Sequence, residues 1–353
     1  MVSANILGSG LAQALPPLIV QCVGAHCEAV TGLGAHLGGQ AAVAVLCALW
    51  TAAAFRSRPP SPPSASAAAR RALADDDDAD PAAAADRSIQ DASRAAKSPV
   101  RLIASDWRTL VRNREFLKLV VAFGLGLSVL NALLTTLSQL LRPRFCTAGG
   151  SAGAYDCDED GLSFWAGAYG STILGAGFVS IAAVSYALGR TGRYRLFLNA
   201  CFGATSVVIA LVGLAACRLP PTAPSSAALA GLFAALGLAA QPVLPLIFQL
   251  AVEVTYPVPE EASACLLYLV GNLGGVPMTY ALQQLSALTA DQAALAAAPV
   301  LTPAWAVCAG GFVPAALVAF TFQGEFKRTQ ADARVGPLEG EVIPAPPAGG
   351  PGA

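Results

Sequence analysis

The chain has 353 residues, and its 21 Lys and Arg nearly balance its 22 Asp and Glu. Hydrophobic residues make up 55% of it and charged residues only 12%, against roughly 45–50% and 25% in soluble globular proteins. A soluble fold needs polar groups over its whole surface, so this composition excludes a soluble multidomain protein and indicates a polytopic membrane protein.

Long apolar runs with few or no charges recur along the chain, each close to the length that crosses a bilayer as a helix. The alternation of a β-barrel strand is absent, so the sequence predicts an all-α protein with eight transmembrane helices. The predicted spans are Ala4–Gly24, Leu37–Phe55, Phe116–Leu140, Phe164–Leu188, Leu196–Ala216, Ala227–Glu253, Ala262–Leu285 and Pro303–Phe322.

A charged loop, Arg56–Glu115, separates the second span from the third and holds 20 of the 43 charged residues. Most of it is rich in Pro, Ser, Ala and Asp, which predicts disorder because few apolar side chains can be buried. From about Asp91, apolar residues recur at helical spacing between arginines, which predicts an interfacial amphipathic helix (Ile103, Trp107, Leu110 and Val111). The predicted domains are two helices in 1–55, the loop 56–115, six helices in 116–323 and a disordered tail in 324–353.

Lys and Arg are distributed unequally between alternate loops. One set of loops, which includes Arg56–Glu115 and the tail, carries 17 of them, and the opposite set carries 3. Since cytosolic loops are enriched in Lys and Arg, both termini are predicted to lie in the cytosol.

Five of the nine cysteines lie in or beside loops assigned to the non-cytosolic side. A disulfide within one loop, Cys146–Cys157 or Cys22–Cys27, is one interpretation. The alternative is a set of free thiols among small apolar residues. No spacing resembles a zinc site, and no metal or cofactor is expected.

The segment Leu244-Pro-Leu-Ile-Phe-Gln-Leu-Ala-Val-Glu-Val-Thr-Tyr-Pro-Val-Pro-Glu260 resembles the tenth-helix signature of the feline leukaemia virus subgroup C receptor-related family of major facilitator superfamily transporters. Asn5-Ile-Leu-Gly8 through Pro17 resembles the fifth helix of that family, and Leu110-Val-Arg-Asn113 resembles the start of its seventh. A Pro-Pro-Ser-Pro-Pro loop and Phe164-Trp165 lean towards the branch named "disrupted in renal carcinoma".

The resemblance implies that the eight spans correspond to helices five to twelve of a major facilitator-type bundle, so that the first four helices of the family are missing. Either the sequence is part of a longer transporter, or a genuinely short protein exists. In the second case, the protein would assemble with a partner that supplies the missing helices, regulate a full-length relative, or be non-functional.

Glu253 is the only carboxylate within an apolar run. An ionisable group at membrane depth is costly, so it indicates either cation binding, proton transfer or gating, or else an interfacial charge that reaches water. One turn earlier, Gln249 stands where the resemblance implies a second glutamate, and this replacement removes one proton carrier.

Asn131 lies near the centre of its span, where it predicts either a helix–helix hydrogen bond or a substrate contact. In the resemblance it replaces a tyrosine that helps to enclose choline-like cations. Asn272, within Gly271-Asn-Leu-Gly-Gly275, takes the position of a substrate-binding glutamine. Trp165 and Tyr169, one turn apart, form either an aromatic wall of the substrate site or an interfacial belt.

These features predict a major facilitator-type transporter that moves a small organic solute across a membrane by alternating access. The resemblance implies haem, choline or ethanolamine, or a pyridoxine-like vitamin as substrate, and a plasma-membrane or lysosome-type location. The alternative is a truncated, non-transporting relative that acts through helix–helix association. Paired carboxylates, a His cluster and a nucleophile motif are missing from the spans, so an enzyme is not expected, and no nucleic-acid partner is expected either.

Overall fold

A computed structural model describes residues 15, 19, 21–23, 29–54, 99–148, 155–220, 222–289 and 300–330. The described elements are β1 Gln21–Val23, β2 Ala29–Thr31, α1 Leu33–Ala54, α2 Pro99–Arg112, α3 Arg114–Thr135, α4 Leu137–Leu141, a 3-10 turn Arg142–Arg144, β3 Cys146–Ala148, β4 Tyr155–Cys157, α5 Glu159–Thr191, α6 Tyr194–Arg218, α7 Ala223–Ala240, α8 Val243–Thr255, α9 Glu260–Ala287 and α10 Pro303–Phe320.

Within the described ranges, seven helical segments are long and apolar enough to span a membrane. They account for seven of the eight predicted spans and confirm a polytopic helical membrane protein. The remaining prediction, Ala4–Gly24, lies mostly outside the described residues. Its last residues need a correction, because Gln21–Val23 form a strand that pairs antiparallel with Ala29–Thr31.

The predicted span Ala227–Glu253 is divided into α7 and α8. The interruption falls at Gln241–Pro242, because a proline has no N–H to continue the helical hydrogen bonds and its ring collides with the preceding turn. Pro277 and Pro314 lie within α9 and α10, which continue past them.

The chain forms two compact units. The first unit comprises 1–47, 118–247 and 267–322, and the second comprises 48–117, 248–266 and 323–353. In the first unit, α5 packs along α7, and α6 packs against both α7 and α10. A methyl group on Gly237 of α7 would overlap the backbone oxygen of Ile173 on α5, so glycine permits this close approach.

The second unit contains α2, a helix at the position where an interfacial amphipathic helix is predicted before the third span. Its Leu110 is only 1% exposed, whereas Val111 is 52% exposed. Asn113 separates α2 from α3 and caps α3, since its side-chain oxygen accepts hydrogen bonds from the N–H groups of Glu115 and Phe116, both at 3.2 Å.

The loop between α4 and α5 is tied by a disulfide between Cys146 and Cys157, which joins the paired strands β3 and β4. This is one of the two bridges that the cysteine positions suggested. The other, Cys22–Cys27, lies outside the residues whose side chains are described.

Arg144, beside this hairpin, is 4% exposed although it belongs to a loop on the predicted outer side. Its guanidinium donates hydrogen bonds to the carbonyl oxygens of Ala216 at 3.1 Å, Leu219 at 2.8 Å and Pro220 at 3.3 Å. Desolvation by burial lowers the pKa of this guanidinium. Arg144 therefore satisfies carbonyls at the end of α6, which explains a basic residue on the side where few are found.

Candidate functional site

A cavity of about 230 Å³ lies within the first unit, and we call it the amide cavity. Residues of α3, α5, α6, the α7–α8 junction, α9 and α10 line it. They are Phe123, Gly126, Leu127, Leu130, Asn131, Leu134, Leu174, Phe202, Ala240, Gln241, Val243, Leu244, Tyr268, Asn272 and Phe312. Three side-chain amides and four aromatic rings thus interrupt an otherwise aliphatic wall.

Asn131 of α3 and Asn272 of α9 meet at this cavity. The side-chain nitrogen of Asn131 donates to the side-chain oxygen of Asn272 across 3.4 Å, and the nitrogen of Asn272 donates to the carbonyl of Tyr268 at 2.9 Å. Each amide keeps further donor or acceptor capacity. The pair can therefore bind both donor and acceptor groups of a solute.

The close crossing of α3 and α9 brings these two amides together. Ser128, one turn before Asn131, has its hydroxyl oxygen 2.9 Å from the carbonyl oxygen of Gly271. A Cβ on Gly271 would lie 2.6 Å from a methyl of Leu127, and one on Gly274 would overlap the Ser128 hydroxyl. Glycines on α9 therefore leave the space that α3 occupies.

A second recess of about 580 Å³ shares Asn131, Leu134, Leu174 and Asn272 with the amide cavity. Its remaining lining is largely polar or small: Thr135, Gly275, Val276, Thr279, Tyr280 and Gln283. Thr135 and Gln283 are exposed. A polar face continues from the amide cavity along α3 and α9.

Neither lining contains an Asp, Glu, Lys, Arg or His side chain among the described residues. Aromatic rings supply the other polarisable surface: Phe123 meets Tyr268 edge-to-face with ring centres 6.1 Å apart, and Phe202 lies 5.8 Å from Phe312. The site can therefore offer hydrogen bonds and ring contacts, without a formal charge to neutralise an ionic solute.

Gln241 is a lining residue that sequence reasoning missed. It stands at the α7–α8 interruption, and its side chain occupies the space beside Gly177 of α5, where a Cβ would overlap it. The signal was a polar residue immediately before Pro242 inside an apolar run. Such helix breaks are tolerated at membrane depth where they line a cavity or are buried in protein.

Trp165 lies elsewhere in the first unit. Its ring is 5.4 Å from that of Tyr169 and 5.6 Å from that of Phe164. Tyr169 is buried, stacks on Phe233 at 4.9 Å and donates to the carbonyl of Ser226 at 3.3 Å. Trp165 thus belongs to an aromatic cluster between α5 and α7, and it lines neither recess described above.

Glu253 and Gln249 belong to the second unit. Glu253 is 8% exposed, and its carboxylate accepts hydrogen bonds from the backbone N–H of Thr329 at 3.0 Å and from its hydroxyl at 2.9 Å. Arg328 forms an ion pair with Glu260. We call these contacts of Glu253 and Glu260 with the tail the tail clasp. Gln249, one turn before Glu253, is exposed.

The tail clasp corrects the prediction of a disordered tail from residue 324. Residues 324–330 are held by two carboxylates of the signature segment, and the rest of the tail lies outside the described residues. The partner of Glu253 is therefore a threonine of this chain.

Comparison with known proteins finds relatives that include two members of the same solute carrier group. The chain is 26% identical over 179 residues to solute carrier family 49 member A3 of Xenopus tropicalis, covering 51% of this chain and 33% of that protein. It is 27% identical over 234 residues to the Danio rerio protein of the same name, covering 64% of this chain and 44% of that one. The chain therefore spans less than half the length of these relatives.

No protein-family model matches the chain. The two relatives nevertheless agree with the motif-based resemblance, because the feline leukaemia virus subgroup C receptor-related proteins and solute carrier family 49 form one group. The seven apolar helices among the described residues, together with these similarities, describe a multi-pass membrane protein that is similar to solute carrier family 49.

Proposed function

We propose that this chain is a major facilitator-type transporter, or a large part of one, that moves a small organic solute by alternating access. The amide cavity carries the proposal. Two amides, from α3 and α9, meet there at a partly open cavity lined by helices of one unit. Pockets between membrane helices with a few polar groups are the usual form of a solute site.

The lining favours an uncharged, hydrogen-bonding solute. Haem carries two carboxylates, for which the lining offers no cation, and the cavity is smaller than the about 300–1,000 Å³ typical of sites for drug-sized ligands. Choline would gain cation–π contacts with the rings, but it has a single hydroxyl to bond with three amides. Of the family-implied substrates, a neutral pyridoxine-like vitamin suits three amides and four rings best.

The exposed polar face supports the same function. Thr135 and Gln283 are exposed on helices that are apolar enough to span a membrane. The Thr135 hydroxyl donates to the carbonyl oxygen of Asn131, but lipid would leave the Gln283 amide without a hydrogen-bond partner. The face therefore borders either water or further helices. A transport pathway would supply the water, and a second set of helices would supply the helix contacts.

The same face also supports the alternative, a non-transporting relative that associates with other helices. Uptake separates the two. Proteoliposomes containing the full chain are given labelled pyridoxine, choline or haem, with empty liposomes as the reference. We expect accumulation of the neutral vitamin and little of the other two; accumulation of none of the three would favour the associating relative.

The direction of insertion remains part of the proposal. The 17-to-3 distribution of Lys and Arg supports a cytosolic location for both termini, α2 and the tail clasp. Cysteine substitutions at Arg193 and at Ser163, labelled from each side of sealed vesicles, test this orientation, because the two positions are expected to react from opposite sides.

A further inference from the structure

A recess of about 470 Å³ in the second unit is unrelated to the amide cavity. It is formed by the end of α2, the start of α3, the end of α8 with the residues after it, and the tail. We call it the basic recess; its lining is Thr109, Leu110, Arg112, Asn113, Arg114, Glu115, Val254, Thr255, Tyr256, Pro257, Val258 and Lys327.

Three cations and one carboxylate line the basic recess. Glu115 accepts a hydrogen bond from the backbone N–H of Gln323 at 2.7 Å, so part of its capacity is used within the protein. Within the described part of the chain, the side chains of Arg112, Arg114 and Lys327 have no hydrogen bond or ion pair. Like charges gathered around one recess repel each other, and an anion between them would relieve that repulsion.

Two structural devices bring these three cations to one recess. Asn113 caps α3 and also donates to the carbonyl of Val254 at 2.8 Å, which fixes its neighbours Arg112 and Arg114 beside the end of α8. The tail clasp does the same for Lys327, because the two residues that follow it are bound by Glu260 and Glu253.

We propose that the basic recess binds a phosphorylated anion, for which the favoured source is the headgroup of an anionic membrane lipid. Guanidinium groups match phosphate oxygens in pairs, and an ammonium adds a point charge. The amphipathic helix α2 ends at this recess, and the Lys and Arg distribution assigns it to the cytosolic surface, where anionic lipids concentrate. A soluble phosphate ester shares the same chemistry.

Binding to the purified full chain in neutral detergent tests the proposal. Short-chain phosphatidylinositol 4,5-bisphosphate represents the lipid, inositol 1,4,5-trisphosphate the soluble ester, and short-chain phosphatidylcholine the neutral control. The variant Arg112→Gln/Arg114→Gln/Lys327→Gln removes the recess cations. The variant Arg190→Gln/Arg193→Gln/Arg195→Gln removes the same charge from the α5–α6 turn on the same predicted side.

We expect the phosphorylated lipid to bind, and the recess variant to weaken its binding by at least about tenfold, as a loss near fivefold per cation would allow. The turn variant should stay within about twofold of the unsubstituted chain. Lys327→Gln alone should weaken binding of the lipid about fivefold. This substitution alters no spanning helix, so it tests the proposal even if the triple variant does not fold. Equal binding of the trisphosphate would identify a soluble ester as sufficient, and tighter binding of the lipid would identify the membrane as the source.

Three results would overturn the proposal: no binding of either phosphorylated probe, equal binding of phosphatidylcholine, or equal weakening by the recess and turn variants. The last would mean that the total charge, and not this recess, attracts the anion.

Discussion

Asn131 and Asn272 are 141 residues apart in the chain, yet their side-chain amides are joined by a 3.4 Å hydrogen bond at the edge of the amide cavity. The contact depends on the Ser128–Gly271 crossing one turn away. Two polar residues on different helices therefore share one surface with Gln241 and four aromatic rings. This surface is the basis for the proposed solute site.

The clasp on the tail depends on the carboxylate of Glu253. Glu253→Gln leaves one oxygen to accept from a residue that donates two hydrogen bonds, and hydrogen bonds to charged groups contribute about 1.5–3 kcal/mol. We expect trypsin to cleave after Lys327 and Arg328 about tenfold faster in this variant. Mass spectrometry of the released tail gives the rate.

Glu261→Gln is the matched control for that experiment, because Glu261 is an exposed neighbour of the clasp residue Glu260 on α9. Its cleavage rate should equal that of the unsubstituted chain. Equal rates for Glu253→Gln and Glu261→Gln would show that the clasp does not protect the tail.

Arg144 should be important for stability. Arg144→Gln removes a buried guanidinium and its hydrogen bonds to the carbonyl oxygens of Ala216 and Leu219, which we expect to cost about 2–4 kcal/mol of unfolding free energy. Arg142→Gln, two residues earlier and exposed, should change it by less than about 0.5 kcal/mol. Thermal unfolding in detergent measures both, and similar melting temperatures for the two variants would contradict this role.

The Cys146–Cys157 disulfide closes a short loop, with 11 residues of sequence separation. In the chain-entropy description such a loop contributes about 3 kcal/mol. A reductant should therefore lower the melting temperature of the unsubstituted chain. Cys157→Ser should show the lower value from the start and no further response to reductant; a melting temperature that reductant leaves unchanged in the unsubstituted chain would count against the bridge.

Hydrophobicity predicted most of the helices, because a helix that crosses a bilayer needs a particular length and an apolar composition, and both can be read from a single sequence. It could not locate the strand Gln21–Val23, since a short paired strand has the same composition as the end of a span. It also treated Ala227–Glu253 as one helix, although Pro242 was visible, because many membrane helices continue past a proline, as α9 does at Pro277.

Of the residues that line the amide cavity, the sequence likewise predicted some and missed others. Asn131 and Asn272 were conspicuous as amides within apolar runs, but no periodicity could show that they contact each other. Gln241 was overlooked beside the helix break. The partner of Glu253 was missed for two reasons. Thr329 is followed by a Pro- and Gly-rich stretch, so the whole segment was predicted to be disordered. The two residues are also 76 positions apart in the chain.

The most direct measurement is solute uptake by proteoliposomes containing Asn272→Leu, compared with the unsubstituted chain at equal amounts of protein in the membrane. Gln284→Leu, an exposed amide on the same helix that lines neither recess, is the control. We predict that Asn272→Leu lowers accumulation at least about tenfold, as loss of a ligand hydrogen bond would, while Gln284→Leu accumulates normally. Undiminished uptake by Asn272→Leu would contradict the assignment of the amide cavity as the solute site.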